Sequence, residues 1–272
     1  MSEYDDLKKH AKNIRKNIVE MVYKASSGHP GGALSITDIL TTLYFKEMNI
    51  DITNPKLDNR DRLVLSKGHA SAGLYATLVE KGFFKNEELS NFRKLNSILQ
   101  GHPDMKRIPG VDMTSGSLGQ GLSVANGMAL AAKLDEKNYR VYCIVGDGEI
   151  EEGQIWEAAM AASHYKLDNL CLIVDNNNLQ IDGTISEVMN SYPIDEKFEK
   201  FGFHTINIDG HNFEEIVNAF EQAKLIKEKP TVIIAKTIKG KGVSFMENNG
   251  AWHGKAPNDE QYAIAMKEFE GK

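Results

Sequence analysis

Short runs of aliphatic and β-branched residues punctuate this chain at wide intervals: Leu63–Leu65, Val141–Val145, Leu170–Val174, Thr205–Ile208 and Val232–Ala235. They have the length of strands, and most run without a polar break, so both faces of each strand must be covered. Stretches with helical spacing of apolar residues lie between them, at Ala70–Lys81, Leu118–Leu134, Gly153–His164 and Phe213–Ile226. This alternation predicts an α/β fold, a doubly wound and mainly parallel sheet with helices on both faces.

The chain opens with an amphipathic helix over Asp5–Ala25, where Leu7, Ala11, Ile14, Ile18, Met21 and Val22 recur at helical spacing. Ser26-Ser27-Gly28-His29-Pro30-Gly31-Gly32 cannot continue it, because proline lacks the N–H and glycine favours turns. A second helix is expected from Ser35 or Thr37 through Met48. No repeat, low-complexity tract or long linker divides the 272 residues, so residues 1–272 are read as one domain.

Composition excludes several classes. Hydrophobic residues at 41% and charged residues at 26% are ordinary globular values. No apolar run approaches the roughly 20 residues of a bilayer span, and the first residues lack a signal-peptide core, so a soluble, cytoplasmic protein without membrane contact is expected. A net charge of −6, with lysines interspersed among acids, argues against a nucleic-acid partner. Cys143 and Cys171 sit inside apolar runs and are read as core residues.

Two strand ends carry the chemistry. Val141–Val145 runs into Gly146-Asp147-Gly148, and Leu170–Val174 runs into Asp175-Asn176-Asn177-Asn178. Ligands of open parallel sheets gather beyond the carboxyl ends of the strands, so both clusters should share one edge. The Asp147 carboxylate, the Asn177 amide oxygen and the Leu179 carbonyl suit a hard cation such as Mg²⁺, whose octahedron a ligand's phosphates and water would complete. Gly148 lets its N–H approach a phosphate unobstructed.

This pairing of GDG with asparagines one crossover later resembles the thiamine diphosphate signature. SSGHPGG at Ser26–Gly32, LSKGHAS at Leu65–Ser71, GHPD at Gly101–Asp104, GSLGQG at Gly116–Gly121, IDG at Ile181–Gly183 and WHGKAP at Trp252–Pro257 resemble transketolase motifs in family order. The resemblance covers essentially the whole chain but only the first of the family's domains. It implies thiamine diphosphate and Mg²⁺ as cofactors, with Asp147, Asn177 and Leu179 holding the metal. It further implies that Gly148, His69 and His253 contact the diphosphate and that Gly116 and Leu118 contact the thiamine part. Asn177 counts among the cofactor contacts, and Ile181 and Ile238 pack near the thiazolium. His29, His102 and His253 would face the sugar, with His69 close enough to share that catalytic role.

From the residues alone the histidines are less decided. His29, His69, His102, His211 and His253 each neighbour a glycine, which favours close approach of an imidazole to a ligand and equally favours an ordinary loop. His211 is expected to be structural, in the Asp209–Asn212 turn that caps the next helix. His10, His164 and His204 fall within regular segments. GSLGQG has the wrong glycine spacing for a dinucleotide fingerprint. Glu149, Glu151 and Glu152 are expected to face the N-terminus of the following helix, while the resemblance places Glu152 at a subunit contact, with Glu157 one helical turn further on and its role open.

The family chemistry is transfer of a two-carbon ketol unit from a ketose phosphate to an aldose phosphate. Its pyrimidine-activating glutamate and its substrate-phosphate arginines belong to a later domain that has no counterpart here. The expectation is therefore a split transketolase: this chain needs a C-terminal partner subunit carrying the pyrimidine-binding domain, and such pairs associate into a symmetric heterotetramer. The polar amphipathic tail over Asp259–Lys272 favours a natural subunit over a fragment. The alternatives are a subunit of a deoxyxylulose phosphate synthase-like or 2-oxo acid dehydrogenase-like enzyme, or a non-catalytic cofactor-binding subunit.

Overall fold

In the computed structural model, which describes residues 3–271, the apolar runs become five strands: β1 (Arg62–Leu65), β2 (Val141–Gly146), β3 (Leu170–Asn176), β4 (His204–Asp209) and β5 (Thr231–Lys236). They pair in the order β1-β2-β3-β5-β4, and every pairing is parallel. The doubly wound parallel sheet expected from the sequence is thus present.

Successive side chains of a strand point to opposite faces, and here both faces are core. Val141, Cys143 and Val145 of β2 and Leu170, Leu172 and Val174 of β3 enter one apolar cluster. Tyr142 and Ile144, with Cys171 and Ile173, enter the other. The two cysteines are buried and free, one on each side of the sheet. The edge strand β4 is mostly half-exposed, in keeping with its Thr and Asn.

The N-terminal helix α1 (Asp5–Ala25) ends at Ser26 in the left-handed conformation. The glycine run that stops it begins the next element: α2 (Pro30–Ser35) has Pro30 at its first turn, where the missing N–H costs nothing. Gly31 is required there, since a Cβ would come within 2.9 Å of the Trp252 carbonyl. The single helix expected from Ser35 or Thr37 to Met48 is instead α3 (Thr37–Thr42) running into a π-helical turn over Leu43–Glu47.

Helices α4 (Ser71–Lys81), α5 (Gln120–Leu134), α6 (Gly153–His164), α7 (Ile185–Val188), α8 (Ile194–Lys200), α9 (Phe213–Leu225) and α10 (Asp259–Glu270) complete the chain. The expected boundaries hold within two residues for α4, α5, α6 and α9. The tail is helix α10 up to Glu270, and Lys272 lies outside the described residues. Strands β1 to β4 advance in one direction across the sheet, and α5, α6 and α8 from those crossovers share one face. The return from β4 to β5 reverses direction and sends α9 to the opposite face, beside α1, α3, α4 and α10. No helix of the described residues is long and apolar enough to cross a membrane.

Candidate functional site

Because β1, β2, β3 and β5 are parallel neighbours, the segments that follow them meet at one edge of the sheet. At its centre Asp175, the penultimate residue of β3, is fully buried. Its Oδ2 accepts from Ser35 Oγ at 2.7 Å, from Asn177 Nδ2 at 2.9 Å and from the Lys67 ammonium, while its Oδ1 accepts from Thr237 Oγ1. Lys67 Nζ also donates to the Gly32 carbonyl at 2.9 Å. One carboxylate therefore joins α2 to the ends of β1, β3 and β5. Burial opposes its ionisation, but Lys67 and these hydrogen bonds outweigh burial and hold it below the usual carboxylate range.

Asp147 lies across from it, on the register that pairs Gly146 with Asp175. It is 2% exposed and accepts from the N–H groups of Gly148 (3.0 Å) and Asn178. Burial, and then the charge of Asp175, push its carboxyl up to about 7. The Asn177 Oδ1 accepts the Leu179 N–H at 3.2 Å, and the Leu179 carbonyl accepts from Lys239 Nζ at 2.8 Å. Burial, then Lys67, lower the Lys239 ammonium to about 8. The Asp147 carboxylate, the Asn177 amide oxygen and the Leu179 carbonyl are thus hard oxygens on hydrogen-bonded neighbouring segments. Among the described residues no three or more His, Cys, Asp or Glu side chains group to hold a metal ion. A cation on this set would draw on one carboxylate and on oxygens that its ligand brings.

Three of the four expected histidines form a cup above this edge. The rings of His29 and His69 are 5.3 Å apart, those of His29 and His253 5.5 Å, and those of His69 and His253 5.1 Å. Burial, reinforced by neighbouring cations, holds His29 and His253 at about 4 and His69 at about 2. All three are neutral imidazoles near pH 7, each with one nitrogen that donates a hydrogen bond and one that accepts. His253 Nδ1 and Ser115 Oγ are buried polar atoms without a protein partner. His102 stands apart and exposed, its ring within 3.3 Å of where a Cβ on Gly116 would be. Arg93 reaches the His29 Nδ1 at 3.1 Å and lines Gly101, the residue before His102.

The remaining expected contacts lie around the rim. Gly116 has φ +157°, Leu118 is 38% exposed, and Ile181 is 69% exposed. Ile238 is half-buried, and its N–H donates to His211 Nε2 at 2.9 Å. His211 is structural, as expected, but its reach is longer than the turn: its Nδ1 bonds Asp38 at 2.8 Å, and Asp38 pairs with Arg15. The cap of α9 is Asn212, which accepts from Glu214 and Glu215. Glu152 and Glu157 are exposed on the α6 side, whereas Glu149 is buried and bonded inward, contrary to its reading as a helix-terminus charge.

Sequence reasoning passed over Lys67, Asp175, Lys239, Ser35 and Arg93. A charged residue within two positions of an apolar run's end was the available signal for Lys67 and Asp175.

Residues 7–271 match the family described as transketolase, thiamine diphosphate binding domain. The chain belongs to the transketolase family. It is 48% identical to the 6-deoxy-6-sulfo-D-fructose transketolase subunit of a Clostridium sp., over 99% of this chain and 98% of that one. An apulose-4-phosphate transketolase subunit of Phocaeicola vulgatus is 44% identical, over 98% of this chain and 94% of its own length. Human transketolase is 46% identical over 92% of this chain but only 40% of itself. Among solved structures, transketolase from Campylobacter jejuni superimposes with a TM-score of 0.91 at 39% identity, covering 97% of this chain and 42% of that one. The chain therefore has the length of the transketolase subunits and about two fifths of the length of the undivided enzymes it matches.

Proposed function

We propose that this chain is the cofactor-binding subunit of a two-component transketolase that moves a two-carbon ketol unit from a ketose phosphate to an aldose phosphate. The observation that carries the reading is the cup of three neutral histidines, mutually 5.1–5.5 Å apart, above the edge that holds Asp147, Asn177 and Leu179. The residues fit a diphosphate with Mg²⁺. The Asp147 charge is under-compensated in the protein alone, its partner oxygens are neutral, and the His253 Nδ1 lacks a partner.

Asp147, Asn177 and the Leu179 carbonyl would hold Mg²⁺, and the Gly148 N–H, His69 and His253 would hold the diphosphate. Asn177 serves both. Gly116, Leu118, Ile181 and Ile238 would flank the thiamine part. When bound, the cofactor supplies the nucleophilic carbon and the electron sink that C–C cleavage needs. The protein's part is proton movement and orientation. Half-buried imidazoles at His29, His69 and His253 take or give hydrogen bonds to sugar hydroxyls without a fixed charge of their own, and exposed His102 faces the incoming sugar.

Only one end of the ligand is served by these residues. A partner subunit with the pyrimidine-binding domain and its activating glutamate would serve the other, and two such pairs would form a symmetric heterotetramer. The exposure of Leu118 and Ile181 at the rim supports a covering partner. The test is an assay with xylulose 5-phosphate and ribose 5-phosphate, with the sugars of the two named subunits as further substrates. The expected result is no turnover by the chain alone and turnover on mixing with the candidate partner. Sustained turnover by the isolated chain would overturn the two-component reading.

A further inference from the structure

Glu149 is 3% exposed, and its carboxylate is engaged by three separate segments. One oxygen accepts from Ser66 Oγ and from the Gly119 N–H at 2.9 Å, and the other accepts from the Gly146 N–H at 3.0 Å. Ser66 Oγ in turn accepts the Gly121 N–H at 3.0 Å. A single side chain thus joins the end of β1, the turn that enters α5, and the end of β2. The turn has been brought as close as backbone permits. A Cβ on Gly121 would lie 2.3 Å from Ser66, and one on Gly119, already at φ +82°, would lie 2.8 Å from the Glu152 Cβ.

Keeping a carboxylate in such a place is costly unless each oxygen is satisfied. Here three donors satisfy it, and two of them come from the two loops that flank the site. Gly116 and Leu118 stand on the turn that Glu149 holds through Gly119. Asp147 and Gly148 directly follow the Gly146 that it holds with its other oxygen.

We infer that Glu149 is a positioning residue, which locks the 116–121 turn in register with Gly146–Gly148 so that the diphosphate and the adjoining thiamine part are gripped at a set spacing. The inference rests on the cofactor site proposed above. Its physical basis is preorganisation: loops already fixed to each other need no ordering when the ligand arrives. Both Glu149 oxygens are taken up by backbone N–H groups and Ser66.

Glu149→Gln tests it, because the amide keeps one acceptor oxygen but turns an N–H donor toward another N–H. The full chain is titrated by calorimetry with thiamine diphosphate and, separately, with inorganic diphosphate, both at saturating Mg²⁺. Wild type should bind thiamine diphosphate more tightly than inorganic diphosphate. The substitution should cut that preference by about tenfold or more, leaving the affinity for inorganic diphosphate within about twofold. Ser66→Ala, which removes one arm of the tie, should move the preference in the same direction by less. An unchanged preference, or equal losses for both ligands, would overturn the inference. Should wild type take up neither ligand, the reading of the site as a cofactor site fails instead. The tie is then decided by amide exchange in the free chain, where Glu149→Gln must speed exchange at both Gly119 and Gly146 for the lock to stand.

Discussion

Lys67 and Asp175 form an ion pair closed to solvent on both sides, with side-chain exposures of 3% and 0%. Such a pair adds little net stability relative to an apolar substitute, because desolvation offsets attraction, but removing one partner strands the other charge. Lys67→Met should therefore destabilise the fold by about 3–5 kcal/mol. The double variant Lys67→Met, Asp175→Leu should recover much of that loss while still failing to bind cofactor. Urea unfolding of wild type, the two single variants and the double variant checks this, and an additive double variant would show that the two side chains act independently.

Asp147→Ala and Asn177→Ala should each abolish Mg²⁺-dependent binding of thiamine diphosphate with the fold intact, since each removes an oxygen proposed for the ion. Neither side chain belongs to an apolar cluster, so near-wild-type circular dichroism is expected. Titration with and without Mg²⁺ reads the effect. Unchanged affinity in both variants would move the metal elsewhere.

The histidine cup should divide by function. His29→Ala and His102→Ala should lower kcat by about 10²–10⁴-fold in the reconstituted enzyme with little change in cofactor affinity. His253→Ala should also weaken cofactor retention, because its Nδ1 is a buried atom awaiting a partner. Steady-state rates at saturating cofactor, beside cofactor titrations, separate the two. Wild-type rates throughout would reduce these residues to loop positions.

The same histidines give stability a pH dependence. His29 and His253 sit at about 4 in the folded chain, largely through burial, whereas an unfolded histidine titrates near 6.5. Between these values the unfolded chain binds the extra protons, so stability contributed above pH 6.5 is lost as pH falls toward 4. Both rings are partly solvated, which moderates the slope. Melting temperatures from pH 7.5 to 4.5 should decline, and a His29→Gln, His253→Gln variant should decline less. Parallel profiles would place the acid sensitivity in other groups.

How much of this was legible in the residue order can be judged from particular elements. The runs at Val141–Val145 and Leu170–Val174 announced two-sided strands because burial on both faces excludes polar residues, and β2 and β3 are such strands. Gly146-Asp147-Gly148 and Asn177 were visible as polar clusters at strand ends, and the parallel register does bring them to one edge. The start of α2 at Pro30 was misread, because Gly31 is chosen for room beside Trp252, a residue far along the chain.

What the sequence by itself determined was the alternation of elements, the edge at which its polar strand ends meet, and the kinship carried by its motifs. Only the tertiary structure decided which charges face one another. Asp175 meets Lys67 across 108 positions and Glu149 meets Ser66 across 83, while His211 meets Asp38 across 173. Local periodicity reports whether a side chain points inward, since that depends on its own element. The partner it meets there depends on the order and register of strands, a property of the whole sheet that no local pattern encodes.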